Sequence, residues 1–153
     1  MGYYATATGS VIVPAENVDA AYDALVELNA REDLKNGGRW GGKPAEKPAD
    51  SASVAASPDK WFSWMDWNYD EVETSALDIV KQLGFEVEEL SDGGFEVYAY
   101  DSKVGSEKHF MEALAPFVKD GSELAWTGED GEMWRWLFTD GEMIEQSAVI
   151  TWV

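Results

Sequence analysis

His109 is the only histidine of the chain and stands beside Glu107 and Glu112. A histidine oriented by a carboxylate is the arrangement of a general base. No nucleophile stands at an identifiable spacing from it and Cys is absent. An exposed helical histidine in acidic surroundings is therefore the simpler reading. Asp66 and Asp70 fall among Trp61, Trp64, Trp67 and Tyr69. Two carboxyl groups about 5–9 Å apart, flanked by aromatics that stack on sugars, are the parts of a glycosidase. In a chain with 30 acids, 8 Trp, 6 Tyr and 6 Phe that coincidence is cheap, and a simple core-and-rim strand is the better account. The acidic turns Gly128–Glu132 (GEDGE) and Asp92–Gly94 lack the roughly 12-residue series of oxygen ligands that holds calcium, and Asp-Gly by itself signals a hairpin. The patterns GxxxxGK[ST], GxGxxG and GxSxG are missing, and the glycine-rich GGRWGG does not lie between a strand and a helix. Trp40 in its middle suits either a contact tip or a place on the core. No catalytic residue, cofactor or metal is expected.

The charge is more informative. The 153 residues carry 11 bases and 30 acids, a net of −19 with a pI of about 4.1. Residues 1–60 hold 9 acids and 6 bases, whereas residues 61–153 hold 21 acids and 5 bases, so −16 of the charge lies in the second part. Such a field repels nucleic acid and anionic lipid. No apolar run approaches 18 residues, and the start MGYYATATGSV lacks a basic stretch followed by an apolar one; neither a membrane span nor a signal peptide is expected. Carboxylates one helical turn apart, or two residues apart on a strand, are separated by roughly 5–7 Å, an interval comparable to that of phosphates along a nucleic-acid strand. Asp66, Asp70, Glu71, Glu73, Asp78, Glu86, Glu88, Glu96 and Asp101, with Glu129, Asp130 and Glu132, form the candidate array.

The elements that position these residues follow from periodicity and punctuation. Tyr3–Val13 reads as a strand closed by Pro14, and Val18, Ala21, Tyr22, Leu25 and Leu28 give the apolar face of a helix beginning near Glu16. Residues 36–59, rich in Gly, Pro, Ala and Ser, read as a flexible insertion in a single domain of residues 1–153. At least the first half of Trp61–Tyr69 looks like a strand. Asn68 and Glu71 suggest a capping box for a helix running through Val72, Ala76, Ile79, Val80 and Leu83 to Gly84. Phe85–Leu90 and Phe95–Tyr100 alternate around a turn, with Phe85, Val87, Phe95, Val97 and Ala99 inside and Glu86, Glu88, Glu96, Tyr98 and Tyr100 outside. A third helix is expected after Ser102 or Ser106, bent or shortened by Pro116 and ended by Gly121. A three-stranded meander should complete the chain as Ser122–Thr127, Met133–Phe138 and Met143–Val153. The order β-α-loop-β-α-β-β-α-β-β-β gives an α+β fold, with a mostly antiparallel sheet and three helices on one side.

With its short length, absence of Cys and strong acidity, the chain resembles the acidic nucleic-acid mimics that phages and mobile elements use against restriction or CRISPR nucleases. The segments LVELNAREDL and YDSKVGSEKHFMEALAPFVKDGSELAWTGEDGEMWRWLF are similar in style to small phage and mobile-element proteins. The resemblance implies a non-enzymatic inhibitor in the cytoplasm of a bacterial host cell. Its partner would be a basic nucleic-acid-binding protein, such as a host nuclease or defence complex, rather than nucleic acid or a membrane. Two other readings follow from the residues: an acidic accessory protein with an aromatic contact site at Trp40, Trp61, Trp64 and Trp67, and an enzyme or binder for a carbohydrate-like ligand.

Overall fold

The computed structural model describes residues 3–35, 37–40, 43–44 and 60–153, with 37–40 and 43–44 described as backbone. The fold is α+β. A six-stranded antiparallel sheet has the order β5-β6-β1-β7-β8-β9. These strands are β1 (Tyr4–Val13), β5 (Phe85–Glu89), β6 (Phe95–Lys103), β7 (Glu123–Gly128), β8 (Met133–Thr139) and β9 (Glu142–Ser147). Three helices, α1 (Val18–Leu28), α2 (Ala76–Leu83) and α3 (Glu107–Leu114), cover one side. Three short strands, β2 (Gly37–Trp40), β3 (Lys43–Pro44) and β4 (Lys60–Trp61), form a second sheet. The 36–59 segment, expected to be a loop, thus contains backbone pairing, because β4 offers Lys60 and Trp61 to Gly38 and Gly37; its remainder lies outside the described residues.

The core lies between the helices and one face of the large sheet. Ala5, Ala7, Val11 and Val13 alternate inward from the central strand β1. Beside them Phe85, Tyr100, Trp126 and Trp136 form a chain of tilted and edge-on ring contacts with centroids 4.8–6.2 Å apart. Leu25, Ile79, Leu83, Phe110 and Leu114 of the helices close over the sheet. Burying each of these aliphatic or aromatic side chains contributes about 1.5–3 kcal/mol before chain entropy is charged.

Several expectations change in detail. The run Trp61–Tyr69 is a strand only at Lys60–Trp61 and then turns, with Trp64 in the left-handed region at φ 71°. The helix expected from Asn68 is broken into a single turn, Tyr69–Val72, and α2. Asn68 makes no side-chain cap; instead Ser75 Oγ accepts the Asp78 N–H at 3.1 Å and starts α2. Gly84 ends α2 in a left-handed conformation, as its position suggested. Helix α3 stops at Leu114 rather than Gly121, because the Pro116 ring fits a 3-10 turn, Ala115–Phe117, and removes a helical donor.

The alternation along β6 also fails once. Val97 and Tyr100 are both buried, so two residues, Tyr98 and Ala99, fit between them on the outer side. The pairing with β5 slips by one residue between Glu86 and Val87, and the pairing with β1 slips between Thr8 and Val11. This is a bulge. It sends Tyr100 inward, against the expectation, and leaves Tyr98 exposed. Gly9 sits at the corresponding point of β1 with φ 155°, and a Cβ there would collide with the Glu123 carbonyl. Finally, β9 ends at Ser147 rather than Val153. Strand β8 begins at Met133, whose carbonyl accepts the Ala148 N–H, and beyond that point no strand among the described residues pairs with β9. Val149, Ile150, Trp152 and Val153 are exposed.

Candidate functional site

Among the described residues no helix covers the side of the large sheet opposite α1, α2 and α3. Cross-strand partners share a face, so the outward positions can be read from the register. Glu88 lies directly opposite Glu96 and Glu86 opposite Ala99; Ala99 in turn faces Thr8, and Asp101 faces Thr6. Glu86, Glu88 and Asp101 are exposed and Glu96 is half-buried. Along β6 the interval from Glu96 to Asp101 is roughly 17 Å at about 3.3 Å per residue. The four carboxylates form a band over the β5–β6 hairpin, with the exposed ring of Tyr98 among them.

Local bonds fix parts of the band. Ser10, displaced outward by the bulge in β1, donates its hydroxyl to Glu96 Oε2. Tyr4 Oη donates to Asp101 Oδ1 at 2.6 Å, and that bond holds the Tyr4 phenol above its ordinary pKa, because ionising it would oppose two negative oxygens. The Tyr4 N–H reaches Glu129 Oε1 at 2.9 Å, so this one residue ties Asp101 to the β7–β8 turn. Glu129, Asp130 and Glu132 are exposed in or beside that turn, at the Asp101 end of the band, and Glu132 accepts the Tyr3 hydroxyl. Among the described residues the salt bridges to Lys and Arg are Arg31–Asp33, Lys35–Glu32, Lys108–Glu145 and Arg135–Glu123, and none includes a carboxylate of the band. Lys103, opposite Tyr4, is the base closing the β6 end of the face. The β7–β9 half differs, since Arg135 lies 3.8 Å from Glu123 and Met133 and Ile144 are exposed there.

The other carboxylates expected in the array lie on the helical side and do not join the band. Asp70 Oδ1 accepts Asn29 Nδ2 at 2.8 Å, and Asp78 accepts the Ser75 hydroxyl at 3.0 Å. Asp66 and Glu73 are half-buried, the Asp66 N–H donating to Gln82 and the Glu73 carbonyl accepting from Tyr22. Glu71 is exposed on the single helical turn. Their roles are partly local: they satisfy caps and hold the broken helix to α1.

The aromatic set does not converge. Trp61 is buried, Trp67 half-buried with its carbonyl bonded to Asn29, and Trp64 is 41% exposed; the Trp40 side chain lies outside the described residues. His109 is half-buried, its Nδ1 4.0 Å from Glu112 and its ring 6.4 Å from Phe62.

One carboxylate with unusual surroundings had no sequence signal. Glu107 looks like any acid in the first turn of a helix, yet it is 1% exposed. Its Oε1 accepts the Gly105 N–H at 2.6 Å, its Oε2 lies 2.8 Å from Tyr100 Oη, and the Trp64 side chain also bonds to it. Burial pushes this carboxyl above the usual glutamate range, against the pull of those bonds. Tyr100 Oη also lies 2.6 Å from the Lys103 carbonyl. A phenol has one proton to give, so an ionised Glu107 competes with the Lys103 carbonyl for the Tyr100 hydroxyl, whereas a protonated Glu107 can donate to Tyr100 while Tyr100 donates to Lys103.

No family model matches the chain, and no curated protein or solved structure is similar to it. No helix among the described residues is long and apolar enough to cross a membrane.

Proposed function

We propose that the protein is a non-enzymatic acidic decoy that engages the basic nucleic-acid-binding surface of a partner protein through the open β5–β6 face. One observation carries this reading: Glu88 and Glu96 are set directly opposite each other, with Glu86 two residues away on the same face, and no base among the described residues pairs with them. Like charges in opposed strand positions cost folding stability, and a cationic partner repays that cost on binding. Carboxylates spaced by roughly 5–7 Å match the Lys and Arg of a groove built for phosphates. Tyr4 and Tyr98 add ring faces on which guanidinium groups stack. A host nuclease or defence complex in the bacterial cytoplasm is the partner class of this kind, and a phage or mobile element is the fitting source.

Pull-down from a bacterial lysate at low and high salt tests the proposal, using the wild type, a triple variant Glu86→Lys, Glu88→Lys and Glu96→Lys, and a control triple Glu16→Lys, Asp19→Lys and Asp23→Lys with the same net charge. The reading expects a basic nucleic-acid-binding protein that is captured at low salt, released as salt rises, lost by at least about tenfold with the first triple and kept with the control. Equal loss with both triples, or capture indifferent to salt, overturns it.

A further inference from the structure

A second feature lies at the far end of the sheet, away from the β5–β6 band. Trp134 of β8 stacks parallel to its cross-strand neighbour Trp126, the planes 1° apart and the centroids 5.9 Å apart. Trp126 is fully buried, but Trp134 is only half-buried. Beside Trp134 is an open cleft of about 450 Å³, lined by Glu132, Glu145, Ser147, Ala148 and Ile150 among others.

Both carboxylates of the cleft are tethered by one oxygen. Glu132 Oε1 accepts the Tyr3 hydroxyl, while Glu145 Oε1 accepts the Trp136 indole N–H at 2.9 Å and lies 3.6 Å from Lys108 Nζ. In each case Oε2 is left with no bond among the described residues. Among the described residues no Lys or Arg lines the cleft, and Lys108 approaches Glu145 only at the tethered Oε1. An indole and two anchored carboxylates favour a flat cation that can stack and donate sideways at once, which describes guanidinium better than ammonium. The cleft is also wide open, and its wall continues into the exposed apolar stretch Val149, Ile150 and Trp152. That rim suits a residue presented on a protein surface rather than a free small molecule.

We infer that the Trp134 cleft seats an arginine side chain of a protein partner, flanked in that partner by apolar residues. The assignment does not depend on the β5–β6 reading: it uses the other face of the sheet and shares with that reading only Glu132, beside the Asp101 end of the band.

The test uses the intact chain and three capped probes: Ac-Arg-NH2, its neutral isostere Ac-citrulline-NH2, and Ac-Leu-Arg-Leu-NH2. Indole N–H resonances are followed by NMR, with the Trp134 signal identified by its loss in Trp134→Phe. Ac-Arg-NH2 should shift that signal with a Kd on the order of 1 mM, and Ac-citrulline-NH2 should not. Ac-Leu-Arg-Leu-NH2 should bind several-fold more tightly than Ac-Arg-NH2. Glu145→Gln, which keeps an oxygen for Trp136, should weaken binding about threefold or more without unfolding the sheet, and Trp134→Leu, followed through the Trp136 indole N–H beside Glu145, about two- to fivefold. A response to citrulline equal to that to arginine, or binding unchanged in Glu145→Gln, overturns the cation site. Equal affinity for the two arginine probes overturns the assignment to a protein side chain.

Discussion

Replacing Glu107 with Gln tests the raised pKa of this buried carboxyl directly. In the unfolded chain this carboxyl titrates near its ordinary value of 4.5, whereas burial raises it in the native protein. Between those two pKa values the native state binds one proton more than the unfolded state, so stability falls as pH rises. The loss begins near pH 4.5, continues until the native pKa is passed, and has a slope of at most about 1.4 kcal/mol per pH unit. Glu107→Gln cannot titrate. Its amide oxygen can still accept the Gly105 N–H, and its NH2 can donate to Tyr100 where the protonated acid did. The variant should therefore be close to the wild type in stability at pH 4.5 and increasingly the more stable of the two above it. Glu107→Ala should be destabilised throughout, by about 3–5 kcal/mol, because it strands the Gly105 N–H and the Trp64 side-chain donor, leaves Tyr100 only the Lys103 carbonyl, and opens a cavity. Urea unfolding followed by near-ultraviolet circular dichroism, in steps from pH 4 to 8, measures all three proteins. A stability difference between Gln variant and wild type that stays flat across this range would refute the raised pKa of Glu107. So would a wild type that gains on the variant as pH rises.

Two further outcomes follow from the open face. Glu88→Gln should stabilise the protein by about 0.3 kcal/mol at low ionic strength, and by less in high salt, because it relieves the repulsion with Glu96; thermal melts at two salt concentrations check this. Gly9→Ala should cost about 2 kcal/mol or more, since its Cβ meets the Glu123 carbonyl, a backbone atom that cannot swing away. Chemical denaturation measures that loss.

Much of the architecture was legible because its signals are local. Gly84 and the pairs Gly131 and Gly141 after acidic residues all adopt positive φ, and each falls where an element was expected to end or turn. The helix and strand types followed from side-chain period. What was misread depends on contacts between distant segments. Tyr100 faces inward because Tyr98 and Ala99 share the outer side, and a bulge has no period to detect. The Asn68 box lost to the Ser75 cap, while Tyr22 and Asn29 of the first helical region hold Glu73 and Trp67 from 51 and 38 residues away. The last five residues continue a strand-like run but have outrun Met133, and a strand needs a neighbour more than it needs a pattern. The candidate array was half legible for the same reason. Strand acids opposite one another could be placed from alternation, whereas those of residues 66–78 depended on a helix that is broken.

Edge protection offers another account of part of this charge. Strand β5 ends the sheet, and charged side chains on an edge keep it from pairing with other chains. That purpose explains Glu86 and Glu88. It does not explain Glu96, which lies on the next strand inward, where no edge is exposed and where a carboxylate opposes Glu88. A lysine at position 96 would leave the edge charges Glu86 and Glu88 in place and would turn repulsion into attraction. Nor does it explain Asp101 or Glu129, which Tyr4 gathers at the other end of the same strip. The two accounts part at Glu96→Lys: edge protection alone leaves partner binding intact, whereas a decoy surface becomes a more stable protein that has lost its partner.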